Sequence, residues 1–202
     1  HEKEKQLNRL KNRSVEFKSG AKVLPLEDLL APGNDTARFS SDQYVIVTGY
    51  VVHYSAGDAE SCNCHSEEKK NHDVHIYIGK KKNSKKKDCI VVEITPPYKA
   101  SHATDLKKLK GKKVSITGYL MFDFEHKGNA ANTCMKCTRI WRRTAWEIHP
   151  VVKIESVEPP GPVPDVLPDI AAALSSPGEP HFVPWPWRPA ISAALGVVIL
   201  II

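Results

Sequence analysis

From residue 43 the apolar positions fall on alternate residues, the period of a strand with one buried face. QYVIVTGYVVHY at 43–54 reads as a first strand, with Gly49 as a bend or bulge. DVHIYIG at 73–79 alternates strictly and reads as a second. DCIVVEIT at 88–95 is a third, closed by Pro96 and Pro97. TDLKKLKG at 104–111 then has the marks of a short helix, with Thr104 as N-cap and Gly111 just past its end. KKVSITGYLMF at 112–122 and RTAWEIHPVVKIE at 143–155 complete a set of five strands. Polar loops lie between the first and second strands and across residues 123–142.

Three strands, a short helix and two more strands is the order of an OB fold. The pattern therefore predicts an all-β chain: a small five-stranded OB-like β-barrel over residues 43–157, with flexible or helical tails. Another small barrel or an open α+β sheet would fit the same order. Residues 1–42 are expected as a charged N-terminal segment, its HEKEKQLNRLKNR either a frayed helix or none. KVLPLEDLL at 22–30 has helix-like apolar spacing, limited by Pro25 and Pro32. Residues 158–189 read as a Pro-rich, semi-rigid linker.

The end of the chain, 190–202, is apolar throughout, shorter than the ~20 residues that cross a bilayer. It follows Trp185, Trp187 and Arg188, residue types of a membrane interface. Three readings stand: a truncated transmembrane helix, a tail that docks on membrane or protein, or a removable lipid-anchor signal. The first residue is His, as in a processed chain or a fragment. A membrane-tethered, extracytoplasmic domain is slightly favoured over a cytoplasmic one.

The chain has 202 residues, which suits one domain with tails better than two domains. A net charge of +6 comes largely from the lysines of 80–87 and 107–113. Such runs suit an anionic partner or simply a solvated surface. There is no nucleophile motif, phosphate-binding glycine loop or HExxH signature.

Strand parity places the candidate chemistry. Val74, Ile76, Ile78, Ile90, Val92, Ile94, Val114, Ile116, Leu120 and Phe122 are expected inside, with Trp146, Ile148, Val152 and Ile154. Tyr77 and Tyr119 would then face outward with the polar set. In an OB barrel the third strand lies between the second and fifth. His75, Glu93, Glu147 and His149 should therefore meet on one outer face, with Asp73, Asp123 and His126 at its rim. Histidines with carboxylates suit a divalent transition metal, zinc foremost. Acid–base chemistry without metal is the alternative.

The cysteine count of 5 does not fit a fully paired framework. Cys89 reads as a small core residue. Cys62 and Cys64 lie in the loop after the first strand, Cys134 and Cys137 in the loop after the fourth. Those loops neighbour each other in an OB fold. The four sulfurs could form a structural zinc site with His65 as a spare ligand, two disulfides, or free thiols.

ESCNC at 60–64, DVHI at 73–76, VVEITPP at 91–97, GYLMFDFEH at 118–126, NAANT at 129–133 and WRRTAWEIHPV at 141–151 resemble an uncharacterised family of bacterial OB-like proteins. The resemblance implies the architecture and the residue set rather than an activity. By fold analogy, some relatives are described as nucleic-acid-binding. Cys134 and Cys137 fall where that family is expected to vary, which counts against a family-wide four-cysteine zinc site.

Two functional classes follow. One is a metal site, hydrolytic towards an anionic, phosphodiester-type substrate, with Glu147 or Glu93 as general base and Arg142 and Arg143 as anion-binding residues. The other is a non-catalytic module binding nucleic acid or protein. Carboxylates on the predicted face repel phosphate, which favours the first.

Overall fold

The computed structural model describes residues 2–102, 105–134 and 136–157. It is an OB-like barrel of five strands: β2 Tyr44–Ala56, β3 Val74–Gly79, β4 Ile90–Ile94, β5 Lys113–Phe122 and β6 Trp146–Ser156. They run in the order β2-β3-β4-β6-β5, and β5 returns to β2 to close the cylinder. Only the β4–β6 pairing is parallel among the barrel ladders. Closure removes free sheet edges, and side chains then fill the interior of so small a barrel. A two-residue strand, β1 Lys22–Val23, adds in parallel beside β2.

The inside is the expected set. Val74, Ile76, Ile78, Ile90, Val92, Ile94, Val114, Ile116, Leu120, Phe122, Trp146 and Ile148 form one buried cluster, with Ile154 packed against it. One expectation fails in β6. Val151, not Val152, joins this core. Ile148 pairs with Leu120 and Ile154 with Ile116, so the same stretch of ladder takes six residue steps in β6 and four in β5. The surplus bulges and flips local parity. Gly118 makes room for it, since a Cβ there would lie 2.5 Å from Ile148 Cγ2 and 2.7 Å from the Pro150 carbonyl oxygen. The irregularity of β2 falls between Val51 and His53 rather than at Gly49, whose missing Cβ instead lets Ile78 and Leu26 approach.

The connection between β4 and β5 differs from its sequence pattern. Pro96 and Pro97 do not merely end β4; they open a helix, α3 Pro96–Ser101, here numbered after α1 Glu2–Lys11 and α2 Leu26–Leu29. Proline suits the first helical positions, where its missing N–H has no partner to lose. A 3-10 turn at Leu106–Leu109 follows, capped by Asp105, whose Oδ1 accepts from Lys107 N. Gly111 has φ +79°, as expected just past a helical end. Thr104 lies outside the described residues.

The expected boundary at residue 43 is not where the compact body begins. Leu26, Leu29 and Leu30 enter the barrel core, and Leu7 of α1 is buried. Trp146 joins this segment to the barrel: its Nε1 donates to the Asp35 carbonyl at 2.6 Å, and its ring meets Phe39 and Phe122 edge-on. Their apolar residues come singly and in pairs, too sparse for a period to show. The expected Pro-rich linker at 158–189 and apolar tail at 190–202 lie outside the described residues. Among those described, no helix is long and apolar enough to cross a membrane.

Trp146→Ala should cost roughly 3–5 kcal/mol in a urea-unfolding measurement, as for a large core aromatic. A loss under about 1 kcal/mol would show that the 26–40 segment does not depend on this ring.

Candidate functional site

The ladders bring the site together. His75 pairs directly with Glu93 across β3 and β4, and Val91 of β4 pairs with Glu147 of β6. His149 is two residues on from Glu147, on the same side. Asp73 immediately precedes β3, and Asp123 follows β5. All these side chains lie outside the barrel wall, as parity requires. The site is nevertheless not a surface. His149, Glu147, Asp73, Asp123 and Glu93 are all buried. The 57–73 loop, the 123–145 loop and α1 cover the face.

His149 sits among three carboxylates. Its Nδ1 lies 2.7 Å from Glu93 Oε2 and 3.4 Å from Glu147 Oε1, and its Nε2 lies 3.4 Å from Asp73 Oδ2. Burial opposes its charge, but Glu93 and Glu147 outweigh burial and lift its pKa to about 10. Glu93 is correspondingly held below the ordinary carboxylate range: burial pushes upward, but the His149 charge and hydrogen bond prevail. Burial, foremost, raises Asp73 and Glu147. His75 Nε2 extends the group, 3.4 Å from Glu93 Oε1 and 4.0 Å from Glu60 Oε1.

Arg142 was expected to meet an anionic ligand. Instead it is buried and bridges two carboxylates of the protein itself, donating to Asp123 Oδ2 at 2.6 Å and to Glu147 Oε2 at 2.9 Å. Its Nε also donates to the Thr144 carbonyl at 2.7 Å. A guanidinium fork suits this double contact. Arg143 is partly buried and donates to the Leu30 carbonyl, so it holds the N-terminal segment. His126, half-exposed, lies 2.8 Å from Asp123 Oδ2 through Nδ1, which raises the His126 pKa. Burial would lift Asp123, but the His126 hydrogen bond and the Arg142 charge hold it down at about 2.

The four-sulfur expectation is corrected. Cys134 and Cys137 are disulfide-bonded to each other within one loop, while Cys62 and Cys64 are free thiols. The C-x-x-C spacing allows a local bridge, which removes both sulfurs from any shared zinc site. Cys89 is buried with Tyr77 and Val91 under Trp141 and Val52, outside the barrel core. Tyr77 is therefore covered rather than presented, and Tyr119 is half-buried against Tyr44 and Arg13.

Three site residues escaped the parity reading. Glu60 and Cys62 lie in a loop, where parity says nothing. Lys11 is the third: its Nζ lies 2.5 Å from Glu60 Oε2 and 3.6 Å from Glu125 Oε2, and the residue is only 5% exposed. Its signal was the Leu7–Lys11 spacing, one face of a helix at i and i+4.

Three donor trios result: Asp73–Glu93–His149, Glu60–His75–Glu93 and Glu60–Cys62–Asp73, each with its ligand atoms within 4.8 Å of one another. Each pair of trios shares one carboxylate. Asp73 Oδ2, His149 Nε2, His75 Nε2 and Thr95 Oγ1 are buried and make no hydrogen bond among the described residues, while Glu93 Oε2 is held by His149 Nδ1 at 2.7 Å. Asp73, Thr95, His149, Cys62 and Lys11 line a cavity of about 40 Å³, room for one ion or water but not for an organic substrate.

No family model and no curated protein matches the chain. Solved structures do. Yeast Stn1 and Ten1 match at 14% identity and TM-score 0.40, over 76% of this chain and 70% of that one. RecG bound to a three-way DNA junction matches at 15% identity and TM-score 0.37, over 73% of this chain and 14% of that one. A chain described as an aspartyl-tRNA synthetase of Leishmania major Friedlin matches at 11% identity and TM-score 0.37, over 77% and 26%. The chain thus spans a small part of the last two.

Two outcomes test the ion cluster. Arg142→Met should lose roughly 3–5 kcal/mol in chemical denaturation, because it strands two buried carboxylates. His126→Ala should destabilise most between about pH 4 and pH 6.5, where the unfolded imidazole is largely protonated and Asp123 ionised. The raised His126 pKa contributes fully below the unfolded value and is lost as pH rises through the folded one. The depressed Asp123 pKa contributes above its unfolded value and is lost as pH falls through about 2. Urea midpoints of the two proteins should therefore differ most at about pH 5 and draw together as pH rises through the folded His126 value.

Proposed function

We propose that this OB-like domain is a divalent-cation-binding module, with Asp73, Glu93 and His149 as the primary ligands and zinc as the preferred ion. The observation that carries the reading is that Asp73 Oδ2, His149 Nε2 and Thr95 Oγ1 are buried without hydrogen-bond partners and their residues line one ion-sized cavity, with Glu93 close enough to share an ion with Asp73 and His149. Burying such atoms without a partner costs free energy, so a guest that accepts their lone pairs is favoured. The spacing supports it. Donors at ~2.1 Å from a tetrahedral ion stand about 3.4 Å apart. Asp73 Oδ2 and His149 Nε2 are 3.4 Å apart, long for a hydrogen bond but suited to a shared ion. A nitrogen and two carboxylates, with the Cys62 thiol on the same cavity wall, suit zinc better than a hard cation that prefers all-oxygen ligands. Binding would displace the proton from His149, as for any imidazole ligand.

Cation binding is better supported than hydrolysis. Glu147 is tied to Arg142 and Glu93 to His149, so neither candidate base is free. The cavity admits no phosphodiester. The same carboxylates make this face a poor seat for a nucleic-acid backbone.

Cobalt(II) titration of the purified full chain, followed by absorption in the visible range, tests the proposal. The expected result is a saturable tetrahedral d–d spectrum at one ion per chain, competed by zinc. Asp73→Asn and His149→Gln should each weaken binding more than tenfold, measured on protein that far-UV circular dichroism shows to be folded. A wild-type chain that gives only the spectrum of hydrated cobalt would overturn the assignment. A sulfur-to-cobalt charge-transfer band lost in Cys62→Ser would add Cys62 to the ligand set.

A further inference from the structure

We infer that Lys11 is a built-in counter-cation for this site, so that docking of helix α1 and binding of a divalent cation compete. The inference rests on the cation-binding reading and names its regulation.

Lysine is among the residues least often buried, and burying its charge costs free energy unless an anion pairs with it. Here Lys11 is buried at the last turn of α1, its ammonium against Glu60. Glu60 belongs to two of the three donor trios. Lys11 also lines the same small cavity as Asp73 and His149. The ammonium thus occupies the Glu60 corner of the donor ring and leaves Asp73 Oδ2 and His149 Nε2 at another corner unsatisfied. A divalent ion in that corner would face Lys11 across a cavity only about one water wide, with little solvent to screen the repulsion.

The helix that carries Lys11 is suited to release. Of α1, only Leu7 and Lys11 are buried. The neighbouring ties to the cover are polar: Ser61 Oγ donates to Asn8 Oδ1 of α1 at 3.0 Å, and Asn12, the first residue past the helix, donates its Nδ2 to the Cys62 carbonyl at 3.3 Å. Arg13, just beyond, donates to the Ser41 and His149 carbonyls. Lys11, Asn12 and Arg13 form one wall of the cavity, so lifting the end of α1 opens a route for the ion and frees Glu60 as a further ligand. Both effects run in the same direction: the ion repels Lys11, and departure of Lys11 adds a carboxylate to the ion.

The test uses the full-length chain with zinc chloride as probe. Isothermal titration compares wild type, Lys11→Met, Lys11→Arg and the double variant Asn8→Ala/Asn12→Ala. Hydrogen exchange follows residues 2–12 in the wild type with and without zinc. Lys11→Met keeps the apolar stem and removes the charge; it should bind zinc at least tenfold more tightly than wild type. Lys11→Arg should not. The double variant weakens helix docking without touching a site charge, and it should also bind more tightly. Zinc should accelerate exchange in α1 at least tenfold while β3 and β4 stay protected. Equal zinc affinity in all four proteins, with unchanged exchange in α1, would overturn the competition and leave the cation site standing. No zinc binding in any of them would overturn the cation site itself. If Lys11→Met fails to fold, the double variant and the exchange measurement decide.

Discussion

The desolvation of carboxylates on one outer face of the barrel is the constraint on which the rest of this structure depends. Asp73, Glu93, Asp123 and Glu147 are buried there, with Glu60 close by. Taking a charge out of water costs several kcal/mol even after relaxation, so each needs a cation or a proton. Arg142 serves Asp123 and Glu147, His149 serves Glu93, and Lys11 serves Glu60. None of these three cations is a passenger on an otherwise complete fold. Arg142 sits at the base of the 123–145 loop and draws it down on the sheet. Lys11 does the same for α1. The cover exists where its cations find carboxylates to meet.

The barrel fixes where those carboxylates can be. The His75–Glu93 pairing and the parallel Val91–Glu147 pairing follow from a register set by the apolar residues inside. A slip by one residue in β4 would send Glu93 into the core beside Ile76 and Ile148. The same apolar packing that stabilises the barrel therefore holds the polar face in register. The irregularity of the β5–β6 ladder begins between Ile148 and Val151, yet His149 keeps the side of Glu147, its Nδ1 3.4 Å from Glu147 Oε1.

This division explains what could be read from the chain. Trp146, Ile148, Glu147 and His149 sit on one alternating run, and alternation alone sorts them to two faces. The five-strand order was legible for the same reason. That the outer face is closed was not legible. Closure depends on contacts between residues far apart in sequence, such as Lys11 with Glu60 and Arg142 with Asp123. Arg142 read as an anion-binding side chain because an arginine beside a site looks the same whether its carboxylate partner is a ligand or part of the fold. Pro96 and Pro97 were read as a stop, yet the same pair starts a helix, and only the following backbone distinguishes the two. The C-x-x-C pair suited zinc or disulfide equally until the loop conformation brought its own sulfurs together.

The two non-histidine cations differ in a way that gives the site a fixed side and an exchangeable side. Arg142 presents a planar fork that cannot lose its proton, held by two carboxylates and by the Thr144 carbonyl. Moving it would strand Asp123, Glu147 and the loop base together. Lys11 is a point charge on a flexible stem, at the end of a helix with only two buried residues. Its departure would strand Glu60 alone, and Glu60 is partly exposed, so water can take over part of the ammonium's role. If any cation of the cluster is to be replaced, the balance of these costs selects Lys11. The orphaned donors of Asp73, Thr95 and His149 line the cavity on the Lys11 side, not beside Arg142. The unsatisfied bonding capacity of the site and its least costly counter-ion thus coincide at one edge, where α1 meets the barrel.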